Sequence, residues 1–173
     1  MRHNFIAIEG TIGAGKTSLA TKIAEDYNGK LILEQFDDNP FLPKFYKEGE
    51  KYAFPLELSF LAERYQQLST QLSSQDLFKN FTISDYLFNK SLIFAQKTLS
   101  DDLFGLYGKL FSIINASIPK PDLLVYLYLD VDKLKDNIRK RGREYEQSIA
   151  YDYLDAIQQG YFEFIRQQQN MRI

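Results

Sequence analysis

The sequence predicts an α/β fold, a parallel sheet flanked by helices, and three observations point there. Short apolar runs alternate with stretches of helical period along the chain, the pattern of successive βα units with right-handed crossovers. A glycine-rich turn joins the first apolar run to the first helical stretch. No internal repeat, linker or low-complexity block breaks the alternation, since Gln167-Gln168-Gln169 is too short to count as one. At 173 residues the chain fits a single domain over 1–173, and two full-sized domains would be cramped.

The elements follow in order. Phe5-Ile6-Ala7-Ile8 is a short apolar run suited to a buried parallel strand. From Lys16, the residues Leu19, Ala20, Ile23 and Ala24 recur at helical spacing, so a helix is expected to about Tyr27, with Asn28-Gly29 as its C-cap. Leu31-Ile32-Leu33 reads as the second strand and runs into an acidic turn holding Glu34, Asp37 and Asp38. A long helix is expected over 54–73, with Leu58, Leu61, Ala62, Tyr65 and Leu68 on one face. Phe81-Thr82-Ile83-Ser84 forms a third strand, followed by helical patterns over 86–99 and 102–117. Pro119 and Pro121 break the chain before 123–129, the clearest strand in the sequence. A helix from Val131 leads into an Arg/Gly stretch over 139–147, and a last helix follows.

Composition narrows the chemistry. The chain is 45% hydrophobic and 25% charged, close to the globular average, which argues against wholesale disorder. Its 21 Lys+Arg against 23 Asp+Glu leave a net charge of -2, without the basic footprint of a nucleic-acid binder. Any anionic ligand must therefore be met by a local site. No Cys means no disulfide framework, thiolate metal site or thiol nucleophile, and His3, the single histidine, excludes His-pair metal sites. No apolar run approaches a membrane span and Met1 to Ala7 has no signal-peptide layout, so a cytoplasmic protein is expected. The 12 Tyr and 14 Phe suit a ring-rich core and dimer surface, with a few rings left to line a pocket for a flat ligand.

Gly10-Thr11-Ile12-Gly13-Ala14-Gly15-Lys16-Thr17 fits G-x-x-x-x-G-K-[ST] at every fixed position, between a predicted strand and a predicted helix that continues through Ser18. Glycines let backbone N–H groups curl round a phosphate, and the helix N-terminus adds its positive dipole end. Lys16 would reach the β- and γ-phosphates, and the Thr17 hydroxyl would sit on Mg²⁺. A GTPase switch fits poorly. Asp102-Leu103-Phe104-Gly105 matches D-x-x-G only by letter, inside a helical pattern, and Asn89-Lys90-Ser91-Leu92 lacks the guanine-reading Asp. A motor ATPase would need a coupling domain for which 173 residues leave no evident room.

A phosphotransferase needs a base, a metal-supporting carboxylate and cationic cover. Glu34 follows the second strand at the end of the sheet where ligands bind, and suits the base. Asp85 ends the third strand and suits hydrated Mg²⁺; Asp130 competes for that role, although a helix N-cap explains it better. Arg139-Lys140-Arg141-Gly142-Arg143 sets cations beside a glycine, the chemistry of a lid that closes over phosphates.

Together these residues resemble the deoxyribonucleoside kinase family, most closely its bacterial deoxyguanosine/deoxyadenosine kinase branch. The likeness runs almost the whole chain, through Phe5 to Gly10, the phosphate loop, Asp38-Asn39-Pro40-Phe41-Leu42, Phe45-Tyr46, Tyr52-Ala53-Phe54-Pro55-Leu56-Glu57, Ser84-Asp85-Tyr86, Ile93-Phe94-Ala95, Pro119-Lys120-Pro121-Asp122 and Lys140-Arg141-Gly142-Arg143. The resemblance implies a three-layer P-loop kinase fold with an Arg-rich lid, a homodimer through helices such as 54–73, and transfer of the γ-phosphoryl of ATP to the 5′-hydroxyl of a deoxynucleoside. It implies Glu34 as general base, Tyr46 and Glu146 on the sugar 3′-hydroxyl, Phe94 stacked on the base, Glu57 and Arg64 at the base edge, and Arg141 and Arg143 as lid arginines.

Two departures stand out. Other branches carry an Arg after the third-strand carboxylate, against the catalytic carboxylate; here Ser84-Asp85-Tyr86 has none, so that contact is missing or supplied elsewhere. Relatives also continue into a further strand whose loop touches the ATP adenine, which has no counterpart before Ile173 and leaves the adenine grip unassigned.

For the base itself, an ionised carboxylate only accepts hydrogen bonds. Glu57 would suit the adjacent N1–H and N2–H₂ donors of guanine, with Lys90 near O6 and N7; adenine, an acceptor at N1, would face Glu57 badly unless the carboxyl were protonated. A salt bridge from Glu57 to Arg64 or Lys90, with no base contact, is the competing reading. Deoxyguanosine first and deoxyadenosine second is thus the expectation. A thymidylate-like monophosphate kinase would need cations where Glu34, Asp37 and Asp38 stand, and a non-catalytic nucleotide-binding subunit would bind ATP without making product.

Overall fold

The structure, a computed structural model, describes residues 4–36, 38–73 and 76–173; His3 and Asp37 lie outside them. Four strands, β1 (Phe5–Gly10), β2 (Lys30–Ile32), β3 (Thr82–Ser84) and β4 (Leu123–Leu127), form one parallel sheet in the order β2-β3-β1-β4. The central strand β1 is buried along its whole length, as its unbroken apolar run requires. Seven helices connect and cover these strands among the described residues: α1 (Lys16–Tyr27), α2 (Leu42–Glu48), α3 (Glu50–Leu72), α4 (Lys90–Thr98), α5 (Asp101–Asn115), α6 (Val131–Arg141) and α7 (Tyr151–Gln167).

Alternation along β1 divides the core. Ile6 and Ile8 pack with Ala20 and Ala24 of α1 on one face. Ala7 packs towards Leu124 and Phe164 of α7 on the other. A third cluster, Leu61, Leu68, Tyr86, Phe88, Tyr107 and Phe111, joins α3 to α5 through a core rich in aromatic rings.

Several boundaries differ from the sequence expectation. The helix expected from 54 begins at Glu50 and carries Pro55 inside it, because Leu56, Phe60, Leu61 and Leu68 bury one stripe and outweigh one lost backbone bond. The helix α2 was not anticipated; Pro43 near its start supplies a favourable first-turn residue. The pattern over 86–99 becomes helix only from Lys90, since Tyr86, Leu87 and Phe88 are core residues of a turn. Asn28, rather than Gly29, takes the left-handed cap at φ 54°; Gly29 is needed for space, as a Cβ there would lie 2.8 Å from the Phe81 ring. The expected lid stretch is helix as far as Arg141, stops at a left-handed Gly142 and continues as a 3-10 turn over Glu144–Glu146. On the outer edge of β4, the Leu124 N–H donates to the Arg172 carbonyl.

Candidate active site

The glycine turn wraps the start of α1. Gly13 and Gly15 adopt φ 87° and 89°, and a Cβ on Gly13 would lie 2.8 Å from the Leu134 carbonyl. Ala14 N–H donates to the Thr11 carbonyl at 3.1 Å, the Lys16 ammonium donates to the same oxygen at 3.1 Å, and Asn137 of α6 donates to the Gly13 carbonyl at 2.8 Å. A groove outside this loop is lined by Gly13, Gly15, Lys16, Thr17, Ser18, Asn137, Lys140, Arg141 and Arg143, with no carboxylate among them. Backbone amides, a helix N-terminus and four cations suit it to a polyphosphate. Burial lowers Lys16 to about 8, with Lys90 adding to the effect and Glu9, Glu34 and Asp85 opposing it.

The inner cavity adjoins this groove. Its walls include Ile12, Lys16, Thr17, Glu34, Tyr46, Glu57, Arg64, Asp85, Lys90, Phe94, Arg141, Arg143 and Glu146, so every side chain expected in the acceptor pocket lines one space. Asp38 is exposed and does not line it, and Asp37 lies outside the described residues, which leaves Glu34 as the acidic member of that turn at the cavity. Asp130 stands on the surface, where its carboxylate accepts from Tyr128; it occupies the N-cap position of α6 without a side-chain cap bond.

Glu34 is held from three elements. The Arg64 Nε and Nη2 groups of α3 donate to its Oε1 at 2.8 and 2.7 Å, and the Lys90 ammonium of α4 pairs with Oε2. Its backbone N–H donates to Asp85 Oδ1 at 2.7 Å. Burial alone would raise the Glu34 carboxyl, but Lys90 and Arg64 overcome it and hold the group at about 2. The contact that the missing Arg would have made is therefore supplied by two residues expected at the purine instead. Arg64 also donates to Ser91 at 2.8 Å and lies over the Phe60 ring. Lys90 lies over Phe94 at 5.4 Å, between the carboxylate and the expected base platform.

Thr17 Oγ1 donates to Asp85 Oδ2 at 2.5 Å, placing a hydroxyl and a carboxylate at the mouth of the phosphate groove. These are hard oxygen donors that fit Mg²⁺, which needs only one or two protein ligands beside phosphates and water. No cluster of three or more His, Cys, Asp or Glu that could cage a metal occurs among the described residues.

Glu57 differs from Glu34. Its Oε1 accepts from the Thr98 hydroxyl at 2.9 Å, its Oε2 has no hydrogen-bond partner among the described residues, and neither Arg64 nor Lys90 forms a salt bridge with it. Burial raises its carboxyl to about 7 against the opposing pull of Arg64. Glu146 accepts from Arg141 at 3.0 and 2.5 Å and from Arg143 at 3.4 Å, so the two arginines expected in the lid hold the carboxylate expected at the sugar while also facing the groove outside the glycine loop. Arg143 further lies 4.4 Å over the Phe36 ring. Burial, then Glu146, raises the Tyr46 hydroxyl well above its ordinary value.

Four contributors escaped sequence reasoning. Glu9 is buried beneath the loop, accepting from Leu87 N–H at 2.7 Å and Tyr161 OH at 2.7 Å; a carboxylate closing an apolar strand was its signal. Asn137 had no distinguishing pattern. Ser91 and Thr98 had one: Lys90, Phe94 and Thr98 recur every four residues on α4, with Ser91 beside them, a stripe aimed at one site.

Comparison with known proteins places the chain in a family. The family model for deoxynucleoside kinases matches residues 6–173. A deoxyguanosine kinase of Bacillus subtilis is 40% identical over 166 residues, 95% of this chain and 80% of that protein. A deoxyadenosine/deoxycytidine kinase of the same organism is 30% identical over 171 residues, 95% and 77% of the two chains. Among solved structures, the deoxyadenosine kinase of M. mycoides with bound dATP superposes with a TM-score of 0.84 at 25% identity, covering 95% of this chain and 85% of its own.

Proposed function

The chain belongs to the deoxynucleoside kinase family, and from that premise we propose that it transfers the γ-phosphoryl of ATP to the 5′-hydroxyl of a purine deoxynucleoside, deoxyguanosine before deoxyadenosine, in nucleotide salvage. One observation carries the reading: a buried, ionised Glu34 shares its cavity with Lys16 of the phosphate loop. A carboxylate there accepts a hydrogen bond from a neutral hydroxyl, which the dianionic phosphate of a monophosphate acceptor cannot donate.

In this reading Glu34 accepts the hydrogen bond of the 5′-hydroxyl and aims its oxygen at the γ-phosphorus. With its carboxyl held at about 2, Glu34 orients more than it deprotonates. That suffices for a loose transition state, in which positioning and charge stabilisation dominate. Lys16, Arg141 and Arg143 offset the negative charge spread over the transferring group. Thr17 and Asp85 would hold Mg²⁺, which supplies charge neutralisation on the phosphates. Tyr46 and Glu146 take the 3′-hydroxyl, Phe94 stacks on the purine, and Glu57 meets its edge, with Arg64 and Lys90 behind. The location is the cytoplasm. The assembly is a homodimer through α3 and α5, which expose Leu58, Tyr65, Leu106 and Ile113; among the described residues no helix is long and apolar enough to cross a membrane.

Radiolabelled ATP offered with a panel of nucleosides and monophosphates tests the reaction. Labelled deoxyguanosine monophosphate is the expected main product; label on a diphosphate, or none on any acceptor, overturns the proposal. Asp85→Asn should raise the Mg²⁺ concentration needed for half-maximal rate, and an unchanged requirement removes Asp85 from the metal.

A further inference from the structure

The neighbourhood of Glu57 contains one proton too few for its acceptors. The Thr98 hydroxyl lies 2.9 Å from Glu57 Oε1 and 3.0 Å from the Phe94 carbonyl, and it has a single hydrogen. When Thr98 donates to Oε1, the Phe94 carbonyl loses that bond. When Thr98 donates to Phe94, the contact with Oε1 is a hydrogen bond only if the carboxyl itself carries a proton and donates it. Both protonation states of Glu57 thus fit the same heavy-atom positions. The other oxygen, Oε2, is buried, lacks a partner among the described residues and belongs to a side chain lining the cavity.

We propose that Thr98 and Glu57 form a two-state reader of purine position N1, with Glu57 Oε2 accepting from the N1–H of guanine as a carboxylate and donating to the bare N1 of adenine as a carboxylic acid. Guanine and adenine differ at that ring atom by one hydrogen, and the reader differs by the complementary one. The Thr98 switch belongs to the empty site. Once a purine meets Oε2, Oε1 remains an acceptor with the proton either absent or on Oε2, so Thr98 donates to it in both bound states. Bonding the charged form more strongly, Thr98 is a positioning residue that favours the carboxylate. The inference rests on Glu57 meeting the base edge, as proposed above.

The surroundings permit the exchange. Arg64 on the same helix, Lys90 of α4 and Glu34 beyond β2 are the charged groups that act on Glu57; Lys90 and Arg64 are already committed to Glu34. The phenols facing it, Tyr46 of α2, Tyr107 of α5 and Tyr153 of α7, all have their ionisation pushed upwards, first by burial, and so stay neutral. Tyr107 donates to the Glu57 backbone carbonyl at 3.3 Å rather than to its side chain. Burial raises the Glu57 carboxyl to about 7, within reach of ordinary assay conditions.

The test is competition between deoxyguanosine and deoxyadenosine in one tube, because every other ionisation of the enzyme cancels in the product ratio. For the wild-type chain the ratio of guanine to adenine product should rise about tenfold per pH unit between about pH 6 and 8. Glu57→Gln should give a ratio independent of pH. Thr98→Val should displace the ratio roughly tenfold towards deoxyadenosine at each pH, the effect of moving the Glu57 carboxyl up by one unit, and Thr98→Ser should restore it. A flat wild-type ratio, or an equal slope in Glu57→Gln, overturns the two-state reader. A Thr98→Val profile superimposed on wild type overturns the part given to Thr98. A ratio unchanged by Glu57→Gln at every pH removes Glu57 from the base altogether, a different failure from a flat wild-type ratio that Glu57→Gln still shifts.

Discussion

Two neighbourhoods of the inner cavity, those of Glu34 and Glu57, begin from the same handicap. Both carboxylates are buried, and burial pushes both towards the neutral acid. Around Glu34 the chain brings a guanidinium from α3 and an ammonium from α4, and the carboxyl stays ionised at about 2. Around Glu57 it brings one hydroxyl, and the carboxyl rises to about 7. Depth therefore does not decide the charge of a carboxylate in this pocket; the partner does. In the proposed function one is fixed for chemistry that must work at every physiological pH, and the other is left free to respond.

The sharpest way to break this contrast is Glu34→Gln. Turnover should fall by about 10²- to 10⁴-fold with little change in nucleoside affinity, the range for losing a positioned acid-base group. Steady-state kinetics with titrated deoxyguanosine reads both quantities, and retained turnover removes Glu34 from the reaction. Next is Lys90→Met, which leaves Glu34 with Arg64 alone. It should cost about 4 kcal/mol in denaturant unfolding, as removal of one partner from a buried ion pair does. A loss below about 1 kcal/mol would mean that Arg64 compensates fully.

The pH dependence of stability sharpens the contrast further, because the two groups have opposite signs. Glu34 has a depressed carboxyl, so its stabilisation is complete above its ordinary value of 4.5 and is lost as pH falls from there towards 2. Glu57 has a raised carboxyl, so its neutral form favours the folded chain at low pH and that advantage fades as pH rises from 4.5 to about 7. Each swing is worth about 3 kcal/mol. Unfolding curves of Glu34→Gln and Glu57→Gln against wild type should diverge in these separate windows, and a shared window would erase the distinction. The smallest effect belongs to Asp130→Asn. Its carboxylate is exposed with only Tyr128 and Lys133 nearby, so kcat/KM should change by less than about twofold.

Much of this was legible in the letters. The phosphate loop announced itself because backbone geometry demands glycines at fixed spacing, and Gly13 and Gly15 do take left-handed values. The parallel sheet and the site at the carboxyl ends of its strands followed from the alternation of elements, whereas the order β2-β3-β1-β4 is left open by alternation alone. Pairing was the illegible part. Arg64 and Lys90 were expected at the purine and stand against Glu34, 30 and 56 residues distant in sequence. No local pattern encodes which carboxylate a cation reaches when two helices and a loop converge. Thr98 was missed for a related reason, since its place in the four-residue stripe of α4 says nothing of its partner until Glu57 of another helix is placed opposite it.

The sheet order has a consequence for the order of events as the chain is made. The strand that carries the phosphate loop is synthesised first, yet its neighbours are β3, in register from Phe5 and Thr82, and β4, in register from Ile6 and Leu123. With translation at about 5–20 residues per second, β1 waits roughly ten seconds for its second flank. Until then an apolar strand and a glycine turn have no walls to shape them, and nucleotide cannot be gripped by a loop without a sheet beneath it. The most recognisable ligand motif in the sequence thus waits for strands made far downstream of it before it takes shape.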